Sequence, residues 1–185
     1  MGMKDSAAVI LDELTQVFDR LSEKEFEAFL DELIKPRRIF VIGVGRMMIS
    51  LKAWVKRMAQ LGLDVNYFGS ETEGPLREGD LLVVASSSGE SAVPKAIVPI
   101  ARERKAHIVY IGCTADSAVD RMADSRVLLT GRTKFRREGE FQSVQPMSTL
   151  VEQQLYLLGD MLSLEIMKRK GLNEEDVRRN HANLE

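Results

Sequence analysis

Cysteine and histidine are nearly absent from this chain. Of 185 residues only Cys113 is a cysteine, and His107 and His181 are the two histidines. An intramolecular disulfide is therefore excluded, and a zinc cage of cysteines and histidines cannot be assembled. A surplus of one charge is lacking too. The 26 Lys and Arg residues against 28 Asp and Glu leave a net charge of -2, which offers no general field for nucleic acid. Arg132, Lys134, Arg136 and Arg137 form one local basic cluster, read here as a solvated loop. No apolar run reaches the roughly 20 residues that span a bilayer, so a membrane partner is not expected. The opening stretch has no signal-peptide pattern, since an acid enters at Asp5 within an amphipathic helical segment; the expected location is cytoplasmic. Internal repeats, low-complexity tracts and interdomain linkers are missing as well. What remains, 44% hydrophobic and 29% charged, is an ordinary globular composition of a length that predicts one domain over residues 1–185.

What is present alternates. Ile10, Leu14, Val17, Phe18 and Leu21 recur at helical spacing. Ser22 and Glu25 then make a capping box that restarts a helix carrying Phe26, Phe29, Leu30 and Leu33, which Pro36 ends. Short β-rich runs follow at Arg38–Ile42, Val65–Phe68, Leu81–Ala85, Ile108–Ile111 and Val127–Leu129, most of them separated by helical stretches. Strands buried on both faces and joined by right-handed crossovers imply an α/β fold, a three-layer α/β/α sandwich around a mostly parallel five-stranded sheet. Met147–Lys170 reads as a long helix that is apolar nearly all round. It is expected to pack against another subunit, the alternative being a helix central to its own domain.

In such a sheet ligands bind beyond the carboxyl ends of the strands, where strand order reverses. The loop "GVGRMM" after the first strand has Gly43 and Gly45, but Met48 stands where a dinucleotide fingerprint needs its third glycine, and Gly69 and Ser70 offer no ribose-binding acid after the second strand. The loop "ASSSGES" after the third strand sets Ser86, Ser87, Ser88 and Ser91 around Gly89 just before a helix. Amides at a helix N-terminus, together with hydroxyls and a glycine that permits close approach, suit a phosphate. Serine also caps helices routinely, but four hydroxyls in six residues exceed what capping needs.

These residues resemble the sugar isomerase (SIS) domain family, whose Ser-x-Ser-Gly-x-Thr/Ser loop holds the phosphate of a phosphosugar. "FVIGVGR" at 40–46, "REGDLLVVASSSGES" at 77–91, "QPMSTLVEQ" at 145–153 and "HANLE" at 181–185 look like the 6-phospho-3-hexuloisomerase branch of that family. The resemblance implies a flavodoxin-like fold, and a homotetramer without metal or cofactor, with the helices of residues 5–35 and 147–181 in its subunit contacts. It also implies interconversion of 3-hexulose 6-phosphate and fructose 6-phosphate, in the formaldehyde-fixing ribulose monophosphate route, through a cis-enediolate. Glu152 becomes the base and His181 its partner, which shuttles a hydroxyl proton or assists ring opening, within its own chain or across a subunit boundary. Gln145 becomes a sugar contact. Gly45 and Arg46 join the phosphate or sugar site, although Arg46 by itself reads equally as half of a surface ion pair. His107, opening a strand, is expected to pack or to face solvent.

The chain departs from the family pattern at Met47 and Met48, where the resemblance expects a serine that contributes to the substrate site and a small residue. Ser87 and Ser148 replace glycines, "GSETEGPL" at 69–76 differs, and Pro99 interrupts a helical stretch, which calls for a kink. Three readings stay open: a ketose-phosphate isomerase, for this or a different phosphosugar; a non-catalytic or regulatory phosphosugar-binding protein; and a purely structural oligomer.

Overall fold

The computed structural model describes residues 2–35 and 37–184. Two helices, α1 (Met3–Phe18) and α2 (Glu23–Leu33), precede β1 (Ile39–Ile42), α3 (Arg46–Gln60), β2 (Val65–Tyr67), β3 (Leu81–Ala85), α4 (Ala92–Glu103), β4 (His107–Gly112), a 3₁₀ turn (Asp120–Met122), β5 (Ser125–Leu128), α5 (Thr149–Lys170) and α6 (Glu174–Arg179). The strands form one sheet in the order β2-β1-β3-β4-β5, and every pairing in it is parallel. The alternation of Val, Ile and Leu residues dictates this. Ile39, Val41, Leu81, Val83, Val109 and Ile111 face a core under α2, α3 and α5. Phe40, Ile42, Leu82, Val84, Ile108 and Tyr110 face a second core, to which α4 contributes Val98 and Ala101. A strand whose two faces are both covered must be apolar throughout.

Most element boundaries match the sequence pattern to within a residue or two. Differences have local causes. Ser22 accepts the Glu25 amide at 3.2 Å as expected of an N-cap. The reciprocal arm of the capping box is not made, because the Glu25 carboxylate accepts the Leu128 amide at 2.8 Å instead and so ties α2 to β5. Pro36 lies outside the described residues. Pro99 sits within α4 on its exposed side and removes one backbone N–H from that helix. Met147 adopts φ 57°, and α5 begins only at Thr149.

The apolar girth of α5 is spent largely within this chain. Leu150, Val151, Leu155, Leu158, Leu162 and Ile166 are buried, and α5 packs on α1, α2 and α3. Tyr156 and Leu164 stay exposed. Helix α3 runs alongside α5 so closely that a Cβ added at Gly159 would lie 2.2 Å from Trp54 Cδ1. Only glycine fits there. Gly159→Val should force the helices apart and cost about 1–3 kcal/mol, read as a lower urea midpoint; an unchanged midpoint would contradict this packing.

Candidate active site

Strand order reverses between β1 and β3. From β1 the chain crosses to β2 through α3 on one face, and from β3 to β4 through α4 on the other. The loops that leave β1 and β3 therefore diverge and open a crevice at the carboxyl edge of the sheet. Gly43–Gly45 and Ser86–Ser91 line its two sides.

The serine loop is held from below by β4. The buried Tyr110 hydroxyl donates to the Ser86 carbonyl at 3.0 Å. The Ser87 carbonyl accepts from the Cys113 amide at 3.0 Å, from Cys113 Sγ at 3.1 Å and from Thr114 Oγ1 at 3.1 Å. Burial pushes the Cys113 thiol up to about 12, helped by the charge of Glu140, so it stays a protonated donor. Burial likewise raises Tyr110. Gly89 takes φ 62°, and a Cβ there would lie 1.9 Å from Ser117 Oγ; this turn admits glycine alone.

The hydroxyls are partly engaged by the loop itself. Ser86 Oγ accepts the Gly89 amide at 3.1 Å and shares a proton with Ser91 Oγ at 3.0 Å; Ser88 Oγ accepts the Glu90 amide at 3.2 Å. A hydroxyl that accepts an N–H keeps its own proton to donate. Ser91 is the N-cap of α4 and its side chain caps nothing, so the first amides of that helix have no intrahelical acceptor. Glu90 accepts from the Ala118 amide at 2.8 Å and from Lys95 at 3.2 Å. These two bonds, the amide's first, hold its carboxyl below the usual range.

On the helical side of the crevice, Arg46 opens α3 and Glu152 lies in the first turns of α5. The Arg46 guanidinium pairs with Glu152 Oε2, Ser148 Oγ donates to Oε1 at 3.0 Å, and Ser50 Oγ donates to the Glu152 carbonyl at 3.0 Å. The Glu152 side chain is 9% exposed and that of Arg46 64%. Arg46, Ser50, Glu152 and Tyr156 surround a concavity of about 220 Å³. Met47 is buried in the core with Leu51 and Val151, and Met48 packs against it. The larger cleft, of about 790 Å³, lies beyond the carboxyl ends of β4 and β5 and is lined by Arg20, Thr114, Gly131, Arg137 and Phe141 among others.

The expected site residues are thus not all brought together within one chain. Glu152, Arg46 and Gly45 meet at one end of α3. His181 follows α6, where Asn180 Nδ2 donates to the Gln60 carbonyl at 3.0 Å, at the other end of α3. At 1.5 Å per residue that is roughly 20 Å away. The amide of Gln145 donates to Glu13 Oε2 at 2.9 Å. Arg132, read from sequence as part of a solvated loop, is instead buried and donates to the carbonyls of Gln145 and, at 3.2 Å, Met147. His107 is half-buried, 3.6 Å from both Glu32 and Asp124. Sequence reasoning missed the Tyr110, Cys113 and Thr114 clamp, although a tyrosine inside an otherwise apolar strand signals a hydroxyl in need of a partner. Among the described residues no cluster of three or more His, Cys, Asp or Glu is placed to hold a metal, and no helix is long and apolar enough to cross a membrane.

Comparisons agree with this architecture. The family model described as SIS domain matches residues 32–158. A Bacillus subtilis protein named 3-hexulose-6-phosphate isomerase is 31% identical over 188 residues, covering 100% of both chains. A solved structure described as a hypothetical protein superposes with a TM-score of 0.87 at 28% identity, covering 96% of this chain and 95% of that one. A Methanococcus jannaschii structure, whose description infers a function of 3-hexulose-6-phosphate isomerase, gives 0.84 at 23% identity over 98% of this chain and 99% of the other.

Tyr110→Phe should remove one support of the Ser86 carbonyl and cost about 0.5–1.5 kcal/mol, since the Gly89 amide also reaches that oxygen, at 3.1 Å. Equilibrium unfolding of the variant checks it; full parental stability would show that the clamp carries no weight.

Proposed function

This chain belongs to the SIS domain family, and we propose that it is a phosphosugar isomerase that interconverts 3-hexulose 6-phosphate and fructose 6-phosphate. The observation that carries this reading is the pairing of Glu152 with Arg46 beside the crevice that the serine loop borders. In this reading Glu152 is the base, Arg46 is the cationic partner of the developing oxyanion, and the serine turn after β3 takes the phosphate. The full-length likeness to the Bacillus subtilis protein supports the choice of sugar.

In this reading the phosphate lies on the hydroxyls of Ser86, Ser88 and Ser91 and on the amides around Gly89, with Ser87 beside them. Glu152 removes the proton from C2 of the 3-ketose. The proton held by Glu152 exchanges with water during the lifetime of the 2,3-enediolate, which collapses when the Glu152 carboxyl protonates C3, while the hydroxyl proton passes from O2 to O3. Arg46 leaves Glu152 to meet the developing oxyanion. The Arg46 side chain is 64% exposed and has room to swing away, whereas Glu152, 9% exposed, keeps the Ser148 hydroxyl as a donor when the cation leaves. His181 carries the hydroxyl proton from a second copy of the chain, because its distance from Glu152 forbids the role in its own. The exposed Tyr156 and Leu164 of α5 support burial against such a copy in the proposed tetramer. A binding or regulatory role is the second reading. It is favoured by Met47, which is buried where the resemblance calls for a site serine.

The test is turnover of 3-hexulose 6-phosphate by the parent protein and by Glu152→Gln. Loss of a positioned base should lower kcat by roughly 10²–10⁴-fold. Turnover that survives in the variant rejects Glu152 as base; saturable fructose 6-phosphate binding without turnover by the parent favours the regulatory role. If His181 acts across subunits, co-refolding inactive Glu152→Gln with inactive His181→Ala should restore part of the activity. Mixtures as inactive as either variant would refute that arrangement.

A further inference from the structure

Helix α1 carries one residue that its packing does not explain. Its inward side buries two side chains, Val17 and Glu13, and Glu13 is 6% exposed. A carboxylate withdrawn from water is costly unless its oxygens are fully matched. Here they are matched by one segment, more than a hundred residues away in the chain. Ser143 Oγ donates to Oε2 at 2.7 Å, the Val144 amide to Oε1 at 2.7 Å and Gln145 Nε2 to Oε2 at 2.9 Å. Burial alone would raise the Glu13 carboxyl, but these bonds and the nearby Arg132 charge outweigh it and hold it below its usual value.

The segment so gripped ends at the candidate site. Between β5 and α5 the chain runs from residue 129 to residue 148 without a helix or strand of its own; so long an irregular connection inside a compact fold marks function more often than filler. Glu13 fixes residues 143–145. Arg132, from the start of the same connection, donates to the carbonyls of Gln145 and Met147. Met147 turns with φ 57°, and the next residue, Ser148, donates to the Glu152 carboxylate. Each link is a hydrogen bond or the adjoining peptide unit. We propose that Glu13 is a positioning residue that, through Ser143, Gln145 and Arg132, sets the strap leading into α5 and so holds the Glu152 carboxylate where it meets Arg46. This inference rests on the isomerase reading for its catalytic consequence, but its structural content does not.

Two measurements on the full chain separate the two. Hydrogen exchange of parent, Glu13→Gln and Glu13→Asp follows the amides of residues 144–152, with Ser86–Ser91 as an internal reference. Glu13→Gln should speed exchange in 144–152 by about tenfold or more while the serine loop stays within twofold, and Glu13→Asp should restore part of the protection. Exchange unchanged in 144–152, or raised equally throughout, overturns the proposal in favour of a merely stabilising role. Turnover is measured beside it: kcat should fall roughly 10- to 100-fold, as expected for a base displaced by an ångström or so, with KM changed less than threefold. Parental kcat in a folded Glu13→Gln protein contradicts the proposal. Should the parent itself lack turnover, the isomerase reading falls, and the exchange result alone decides whether Glu13 positions the strap. Should Glu13→Gln fail to fold, Ser143→Ala, which deletes a single donor to the same carboxylate, is read by the same two criteria.

Discussion

The candidate site depends on the reversal of strand order between β1 and β3. Parallel strands end together, so their carboxyl ends present successive loops along one edge; the reversal sends two neighbouring loops apart. The flanking helices then start at that edge, with α3 and α4 directing their N-terminal amides toward the gap. Arg46 and Ser91 occupy the boundary positions of those helices, which is why a cation and a hydroxyl-rich turn face one space. Helix α5 enters the same edge from its own long connection and brings Glu152 to Arg46.

Rigidity around that space comes from buried and half-buried polar groups matched inside the fold. The Ser86 carbonyl is held by Tyr110 of β4 and the Ser87 carbonyl by Cys113 and Thr114 just beyond it, and residues 143–145, on the way to α5, are held by Glu13 of α1. Both devices use an interior polar group matched by partners whose positions the sheet and helices already determine, which makes the geometry of the edge a property of the whole fold. Arg46, by contrast, is 64% exposed, and its release from Glu152 is what the proposed chemistry needs.

Much of this was legible in the sequence. Continuous runs such as "LLVVA" at 81–85 announce a strand covered on both faces, and alternation with helical periods leaves few topologies other than a parallel sheet. The serine loop was legible because Gly89 and its hydroxyls stand where a strand stops. What escaped were contacts between residues remote in sequence. Glu13 lies on an amphipathic helix, where an acid ordinarily faces water, and nothing local tells that Ser143, Val144 and Gln145 will cover it. Arg132 sits among exposed cations and differs from them only through the carbonyls it meets. Glu25 has the spacing of a capping box, yet a β5 amide competes for it and wins. The remoteness of His181 from Glu152 was equally invisible, since it follows from α3 lying lengthwise between them.

In the proposed reaction Glu152 moves a proton between C2 and C3 of a ketose phosphate. Nuclear magnetic resonance of fructose 6-phosphate incubated with the protein in heavy water tests it most directly. Deuterium is expected at C3, where the reverse reaction forms the 2,3-enediolate, with C1 left unlabelled and the C3 labelling lost in Glu152→Gln. Labelling at C1 alone, or no labelling under conditions that saturate the protein with the sugar, would contradict it.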